Sequence, residues 1–381
     1  MPAQESGTRL TVQRVSGRRQ LKEFIVFPQR LYSADPNWVA PLMFEQLQRF
    51  TDKNPFFEHA SWQAWVVRRG SQIVGRISAQ IDDLYNETHA EETGYFGLLE
   101  AEDDADIFAL LFETAENWLR ERGMNQIRGP FNLSVNEECG LLVDGHDTPP
   151  FIMMGHAKKY PGARIEAVGY SKTKDLLAYL VDPHLTLPPV VLGLLRTVEK
   201  RVHIRLFRRK QLHEELAILR DIFNDSWSGN WGFTPFTEAE FEDVGELITA
   251  LVDDEFIQII EIDEQPVAMI VAVPDVNQAA RDLHGRLLPF GWLKLLWRLK
   301  VRFPKRARVM LMGVRKEYQQ TRLGTGMAFL LIDKVRKAMI RRKVDQAEMS
   351  WVLEDNEGMN SIATRIGGIP YKRYRIYEKS L

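Results

Sequence analysis

The chain has 381 residues, enough for two domains of ordinary size. With 45% hydrophobic and 27% charged residues and a formal net charge of -2, it reads as globular, with no global field that selects nucleic acid or an anionic surface. A single cysteine, Cys139, excludes an intrachain disulfide and suits a reducing cytosol. No histidine flanks Cys139, so a small buried residue is expected there. The N-terminus has no apolar h-region, and no run approaches the roughly 20 apolar residues of a membrane span. A cytoplasmic location is expected.

Taken in chain order, residues 62–81 read as two strands around the Gly70-Ser71 turn, rich in β-branched residues and bounded by turn chemistry. A strand over Gly94 to Leu99 runs into Glu100, Glu102, Asp103 and Asp104, and Asp106 to Arg122 has helical periodicity. The run Asn132 to Gly140 is polar where a core strand is expected, which is costly unless those groups are satisfied or functional. Its Asn136 and Glu138, with Asp144 and His146 nearby, are candidate acceptor-binding residues. Prolines at 183, 188 and 189 predict a break near Asp182.

The same order then repeats. Residues 256–273 read as a hairpin around Asp263 to Pro266. Arg308 to Val314 reads as a buried strand, followed by the loop Thr321-Arg322-Leu323-Gly324-Thr325-Gly326 and an amphipathic helix from Met327 to Arg342. Ala347 to Leu353 is a strand, Asn356 to Ile366 a helix stopped by Gly367-Gly368, and Tyr371 to Tyr377 a closing strand. Repetition over half the chain predicts a duplication. The expected fold class is α/β with mixed sheets, in tandem domains spanning 1–182 and 183–381.

Strand, glycine turn and helix make a candidate anion site. The first helical amides lack intrahelical partners, the helix dipole adds positive charge, and glycines allow close approach. Lys316 and Arg322 can add charge-assisted contacts. No metal-ligand spacing occurs among the eight histidines, so no metal is expected.

In the order of its parts, the second half resembles the GNAT family of acyl-CoA N-acyltransferases, over roughly residues 205–381. That family carries an R/Q-x-x-G-x-G/A loop between its fourth strand and third helix. It also carries an Asn at the end of its fifth strand. The resemblance implies that acyl-CoA, acetyl-CoA or a longer-chain thioester, is a co-substrate. It implies that the backbone of Met310 to Val314, including Met312 and Gly313, pairs with the pantetheine arm. By the same resemblance the amides of Leu323, Gly324, Thr325 and Gly326, aided by Arg322, hold the pyrophosphate, and Asn356 lies near the thiol. Two departures stand out. Thr321 occupies the loop's first position, and Ala363 stands where many members have a tyrosine that protonates the leaving thiolate.

The first half resembles the same fold in degenerate form, with carboxylates where a pyrophosphate would sit and no glycine turn. Acyl transfer to an amine needs a base and a proton donor. Glu261, Glu348 and Glu354 are candidate bases, and Tyr374 or Tyr377 candidate acids. Glu348, Asn356 and Tyr374 form the expected catalytic set. In the second half Asn224, Trp227, Asn230 and Trp231 are expected to form the acceptor lip.

Residues 286–306 mix Trp, Leu and cations at helical spacing, a pattern that can lie in a membrane interface and give a cytoplasmic protein peripheral membrane contact. Together with Asn230-Trp231-Gly232-Phe233 and Gly140-Leu141-Leu142-Val143, this segment resembles a group of long bacterial tandem GNAT proteins that includes bacterial ceramide synthases. That resemblance implies a lipid, sphingoid, amine as acceptor. Two alternatives stay open: a non-catalytic CoA- or lipid-binding module, and a FemX-like aminoacyl transferase. The net charge of -2 argues against the charged tRNA that the latter requires, and no nucleic-acid partner is expected.

Overall fold

A computed structural model describes residues 9–381. The chain forms two compact units. The first comprises residues up to Pro149 together with Met154–Asp175 and Tyr374–Leu381, and the second comprises Pro150–Met153 and Leu176–Arg373.

The first unit begins with β1 (Leu10–Arg14), α1 (Gly17–Leu31) and α2 (Met43–Arg49). The hairpin β2 (Ala60–Arg69) and β3 (Gln72–Asp82) turns at Gly70, whose φ of +63° favours glycine. It is followed by α3 (Asp83–His89), β4 (Thr93–Ala101), α4 (Ala105–Arg120) and β5 (Gln126–Gly129). Short pieces β6 (Phe131–Asn132), β7 (Glu138–Cys139) and β8 (Leu141–Asp144) precede α5 (Pro161–Ala167) and β9 (Ser171–Val181). Cys139 is buried on β7, as expected of a small core residue. Strands β1 to β4 are antiparallel neighbours in sequence order, and β4 pairs with β5 in parallel.

The prolines of 182–189 lie between β9 and α6 (Pro189–Val198), with Pro189 in the helix's first turn. β10 (His203–Leu206), α7 (Leu212–Trp227) and α8 (Glu238–Leu251) follow. α8 starts on a capping box in which Thr237 and Glu240 satisfy each other's backbone amides. Next come β11 (Ile257–Ile262) and β12 (Gln265–Pro274), joined by Asp263 and Glu264 at φ +49° and +65°, the left-handed pair of a tight hairpin. α9 (Val276–Ala280), α10 (Gly291–Trp297), β13 (Arg306–Val314), α11 (Arg322–Arg341), β14 (Gln346–Leu353), α12 (Glu357–Arg365) and β15 (Ile369–Ser380) complete the chain.

The second unit repeats the ladder. β10 to β13 are antiparallel neighbours, and β13 pairs with β14 in parallel. The duplication is visible in this repeat of order and direction. Each unit adds a strand contributed by the other half of the sequence. Tyr377–Ser380 of β15 pairs with β5 in the first unit, and Leu176–Val181 of β9 pairs with β14 in the second. The core of the second unit sets Met327, Leu331, Val335 and Ala338 of α11 against the isoleucines and valines of β11 and β12. Burial of each large apolar side chain contributes about 1.5–3 kcal/mol, which makes α11 a fixed platform. Among the described residues no helix is long and apolar enough to cross a membrane.

Candidate functional site

β13 and β14 pair only from Arg306–Gln346 to Val309–Met349. Beyond that rung β13 stays with β12 as far as Val314, while β14 stays with β9 as far as Leu353. The two strands therefore part, and among the described residues one backbone edge of β13 from Met310 onward has no strand beside it. The divergence starts at a bulge. Leu311 faces Val271 and Val309 faces Ala272, so Met310 is the extra residue that bends the strand. An open edge of this kind can pair with an extended, amide-containing chain.

α7 closes one side of this edge. The Trp227 indole donates to the Met312 carbonyl at 3.2 Å, and Trp227 meets Trp351 of β14 edge-on with ring centroids 6.2 Å apart. A Cβ at Gly313 would lie 2.5 Å from Ser226 Oγ, so close helix–strand approach requires glycine there. The loop leading to α11 is tied to α7 as well. The Lys316 amide donates to Asp225 at 2.8 Å, Gln319 Nε2 donates to the Ser226 carbonyl at 2.9 Å, and Arg315 pairs with Asp221.

At the start of α11, Thr321 is the N-cap. Its hydroxyl accepts from the Gly324 amide at 3.0 Å, and its carbonyl accepts from the Thr325 amide at 3.0 Å. The Arg322 and Leu323 amides are the two remaining donors at the helix tip. The exposed side chains of Lys316 and Arg322 make no ion pair among the described residues. Two helix-tip amides, a macrodipole and two unpaired cations suit a phosphate or pyrophosphate. The glycines have a different task. A Cβ at Gly324 would meet the Tyr318 carbonyl at 2.0 Å, and one at Gly326 would meet Val198 of α6 at 2.4 Å. They let the loop and α6 pack against α11.

A buried polar cluster lies at the last paired rungs. Glu348, opposite Arg308, is fully enclosed. Ser350 Oγ donates to Glu348 Oε1 at 2.5 Å, and the Tyr371 hydroxyl donates to its other oxygen. Arg308 is 4% exposed. It donates to Ser350 Oγ at 2.9 Å, to the Ser350 carbonyl at 3.1 Å and to the Ile152 carbonyl at 2.8 Å. Asp275, at the end of β12, accepts from the Ile152 amide at 3.0 Å and lies 3.1 Å from Arg306. Burial, reinforced by the Glu348 charge and opposed by Arg306, pushes its carboxyl up to about 6.

The other expected residues make different contacts. Asn356 caps α12, accepting from the Met359 amide at 3.0 Å. Beside it, Asn360 accepts from the Tyr179 hydroxyl at 2.8 Å. Tyr374, a candidate acid, is wholly buried and belongs to the first unit, as does Tyr377, the other candidate. Glu261 lies on β11, two strands from β13. Burial pushes its carboxyl up, but hydrogen bonds from Arg205 and His203 outweigh that and hold it below the usual range. Glu354 is exposed at the end of β14.

Of the expected acceptor residues, Asn224 is a staple. It exchanges hydrogen bonds with the Phe236 amide and carbonyl at 2.9 and 3.1 Å, pinning the turn that carries Asn230 and Trp231. Asn136 and Glu138 are in the first unit. Glu138 accepts from Asn132 Nδ2 at 3.0 Å, and Asn132 Oδ1 accepts from the Leu98 amide at 2.8 Å. There β4 and β5 also part, beyond Tyr95–Arg128, and the side chain of Asn132 fills the open edge. α4 is capped by the Asp104 carboxylate, and Arg69, Arg30 and Arg164 pair with the acidic residues 102–104. In the first unit the chain's own groups thus occupy both the strand edge and the helix tip.

Sequence reasoning missed Tyr371, Ser350 and Arg308. Alternate polar residues at 348 and 350 on a core strand were a usable signal, because they share one face.

No family model matches the chain. It is 51% identical to Protein YghO of Escherichia coli (strain K12) over 365 residues, 96% of this chain and 94% of that one. It is 44% identical to the bacterial ceramide synthase of Caulobacter vibrioides, over the full length of both. Among solved structures, a tandem GNAT protein from the clavulanic acid biosynthesis pathway superposes with a TM-score of 0.58 at 10% identity, covering 98% of each chain. A GCN5-related N-acetyltransferase from Sphaerobacter thermophilus gives 0.53 at 10% identity, covering 97% of this chain and 95% of its own. These structural likenesses identify the fold, and the two full-length relatives identify the lineage. The chain is a tandem GNAT protein and belongs to the N-acyltransferase family that includes Escherichia coli YghO and the Caulobacter bacterial ceramide synthase.

Proposed function

We propose that the second unit transfers an acyl group directly from an acyl-CoA to the amine of a lipid, sphingoid-type acceptor. The observation that carries this reading is the parting of β13 and β14 after Val309–Met349, with the tip of α11 beyond the end of β13. An extended pantetheine can lie along the edge from Met310 to Val314, with its pyrophosphate on the Arg322 and Leu323 amides and the cations of Lys316 and Arg322. The 44% identical relative named bacterial ceramide synthase supports a lipid amine as acceptor.

In the reaction the amine nitrogen forms a bond to the thioester carbonyl carbon and gives up a proton, the carbon–sulfur bond breaks, and the thiolate takes up that proton. The ammonium must first lose one. Glu348 and Tyr371 form the proton-handling pair of this reading. Glu348 is enclosed, so Tyr371, which is half-buried, is the member able to meet solvent or substrate, and the carboxylate orients it. Asn356 acts by holding the end of β14 through its cap on α12. The test is turnover. Long-chain acyl-CoA with a sphingoid amine should yield amide and free CoA in equal amounts. Thiol release without amide would point to hydrolysis instead.

A further inference from the structure

Residues 286–302 form a ridge whose outward face is apolar. Leu288 is 81% exposed, Phe290 72% and Val301 68%, and Trp292, Leu293, Leu296 and Trp297 are each about half exposed. Along α10 and the wider helical turn Arg298–Arg302 that continues it, Leu293, Trp297 and Val301 recur every fourth residue, and Trp292 and Leu296 line the adjacent row. These side chains therefore share one face. The opposite face holds the ridge to its unit. Leu299 is buried, and Lys294 and Arg298 both bind Asp282, which their hydrogen bonds, Arg298's foremost, hold well below the usual carboxylate range. The apolar face is thus presented outward by a fixed support.

The unpaired charge carried by this segment has one sign. Arg286, Lys300 and Arg302 are exposed and pair with no acid among the described residues, and no Asp or Glu occurs between Asp282 and Glu317. Two exposed tryptophans, five exposed aliphatic or phenyl side chains and unpaired cations on one ridge match an interface with apolar depth beneath a negative surface. Contiguous apolar surface rimmed by polar residues marks a site of interaction with a protein or a membrane.

We propose that residues 286–302 dock the protein peripherally on an anionic lipid bilayer, with Phe290, Trp292 and Trp297 seated at the headgroup level and Arg286, Lys300 and Arg302 facing the lipid phosphates. The proposal does not depend on the acyl-transfer reading, because docking needs no substrate.

The test is flotation of the full chain with vesicles of phosphatidylcholine alone and of phosphatidylcholine mixed with phosphatidylglycerol, without acyl-CoA or amine. The wild type should float with the mixed vesicles, float far less with the neutral ones, and detach at high salt. Lys300→Glu and Arg302→Glu should each weaken binding about fivefold or more. Phe290→Ser with Trp297→Ser should abolish it while circular dichroism and thermal melting stay as in the wild type. Equal binding to neutral and anionic vesicles would overturn the proposal. So would binding that survives these substitutions, or a wild type that stays in solution while sedimenting as a dimer which Trp297→Ser dissociates.

Discussion

The Tyr371 hydroxyl donates to the Glu348 carboxylate, joining the first residues of β15 to the last paired rungs of β13 and β14. If this pair handles protons during transfer, Tyr371→Phe lowers kcat by about 100-fold and leaves KM for acyl-CoA nearly unchanged. Steady-state kinetics with a fixed amine decides it. A variant with normal kcat assigns the contact to structure alone.

The cationic side chains of Arg322 and Lys316 flank the tip of α11 and make no ion pair among the described residues. Arg322→Ala should weaken CoA binding roughly tenfold, the value of one charge-assisted hydrogen bond, without shifting the melting temperature. Calorimetric titration with CoA measures the first and a thermal melt the second.

Gly326 contrasts with Arg322. A leucine there overpacks against Val198 and Leu194, which stand 2.4 and 3.3 Å from the would-be Cβ. The expected cost is about 1–3 kcal/mol of stability. Loss of CoA binding in Gly326→Leu reports on folding as much as on the site, whereas Arg322→Ala reports on the site.

Thr321 replaces the loop's familial first residue and uses its hydroxyl to cap Gly324. Thr321→Ala should cost about 1 kcal/mol in urea denaturation, and Thr321→Ser should restore most of it.

Asp275 gives the fold a distinctive pH response. Its carboxyl is raised from 3.8 to about 6 by burial, with Glu348 adding to the shift. The folded state therefore holds a proton that the unfolded state has lost. This contribution to stability is complete below pH 3.8 and is lost as pH rises through about 6, by about 3 kcal/mol in all. Asp275→Asn removes this slope. The stability difference between wild type and variant, measured by denaturation across that window, should drift toward the variant with rising pH and flatten above it.

Much of this was legible in the sequence. The hairpin at Gly70, the strand–loop–helix around Gly324 and the cap at Asn356 leave local patterns, because turns, caps and periodicity are short-range. The degeneracy of the first half was legible too, from the carboxylates at 102–104, which the structure pairs with arginines of the same unit. What could not be read is set by long-range pairing. Nothing local tells that Tyr377–Ser380 joins β5, or that Tyr371 and not Tyr374 reaches Glu348. The strand phase decides the second point, and it depends on which neighbours the strand acquires. The glycines were legible as necessary but not for the right reason, since the packing of α6 and Tyr318 against α11 appears only in three dimensions.

Acyl transfer by the second unit is tested most directly by mass spectrometry of the products from a long-chain acyl-CoA and a sphingoid amine, with the wild type and Arg322→Ala side by side. The prediction is one amide per CoA released by the wild type, and a rate about tenfold lower for the variant at limiting acyl-CoA. Absence of amide with every amine tried, in a protein that still binds CoA, would contradict it.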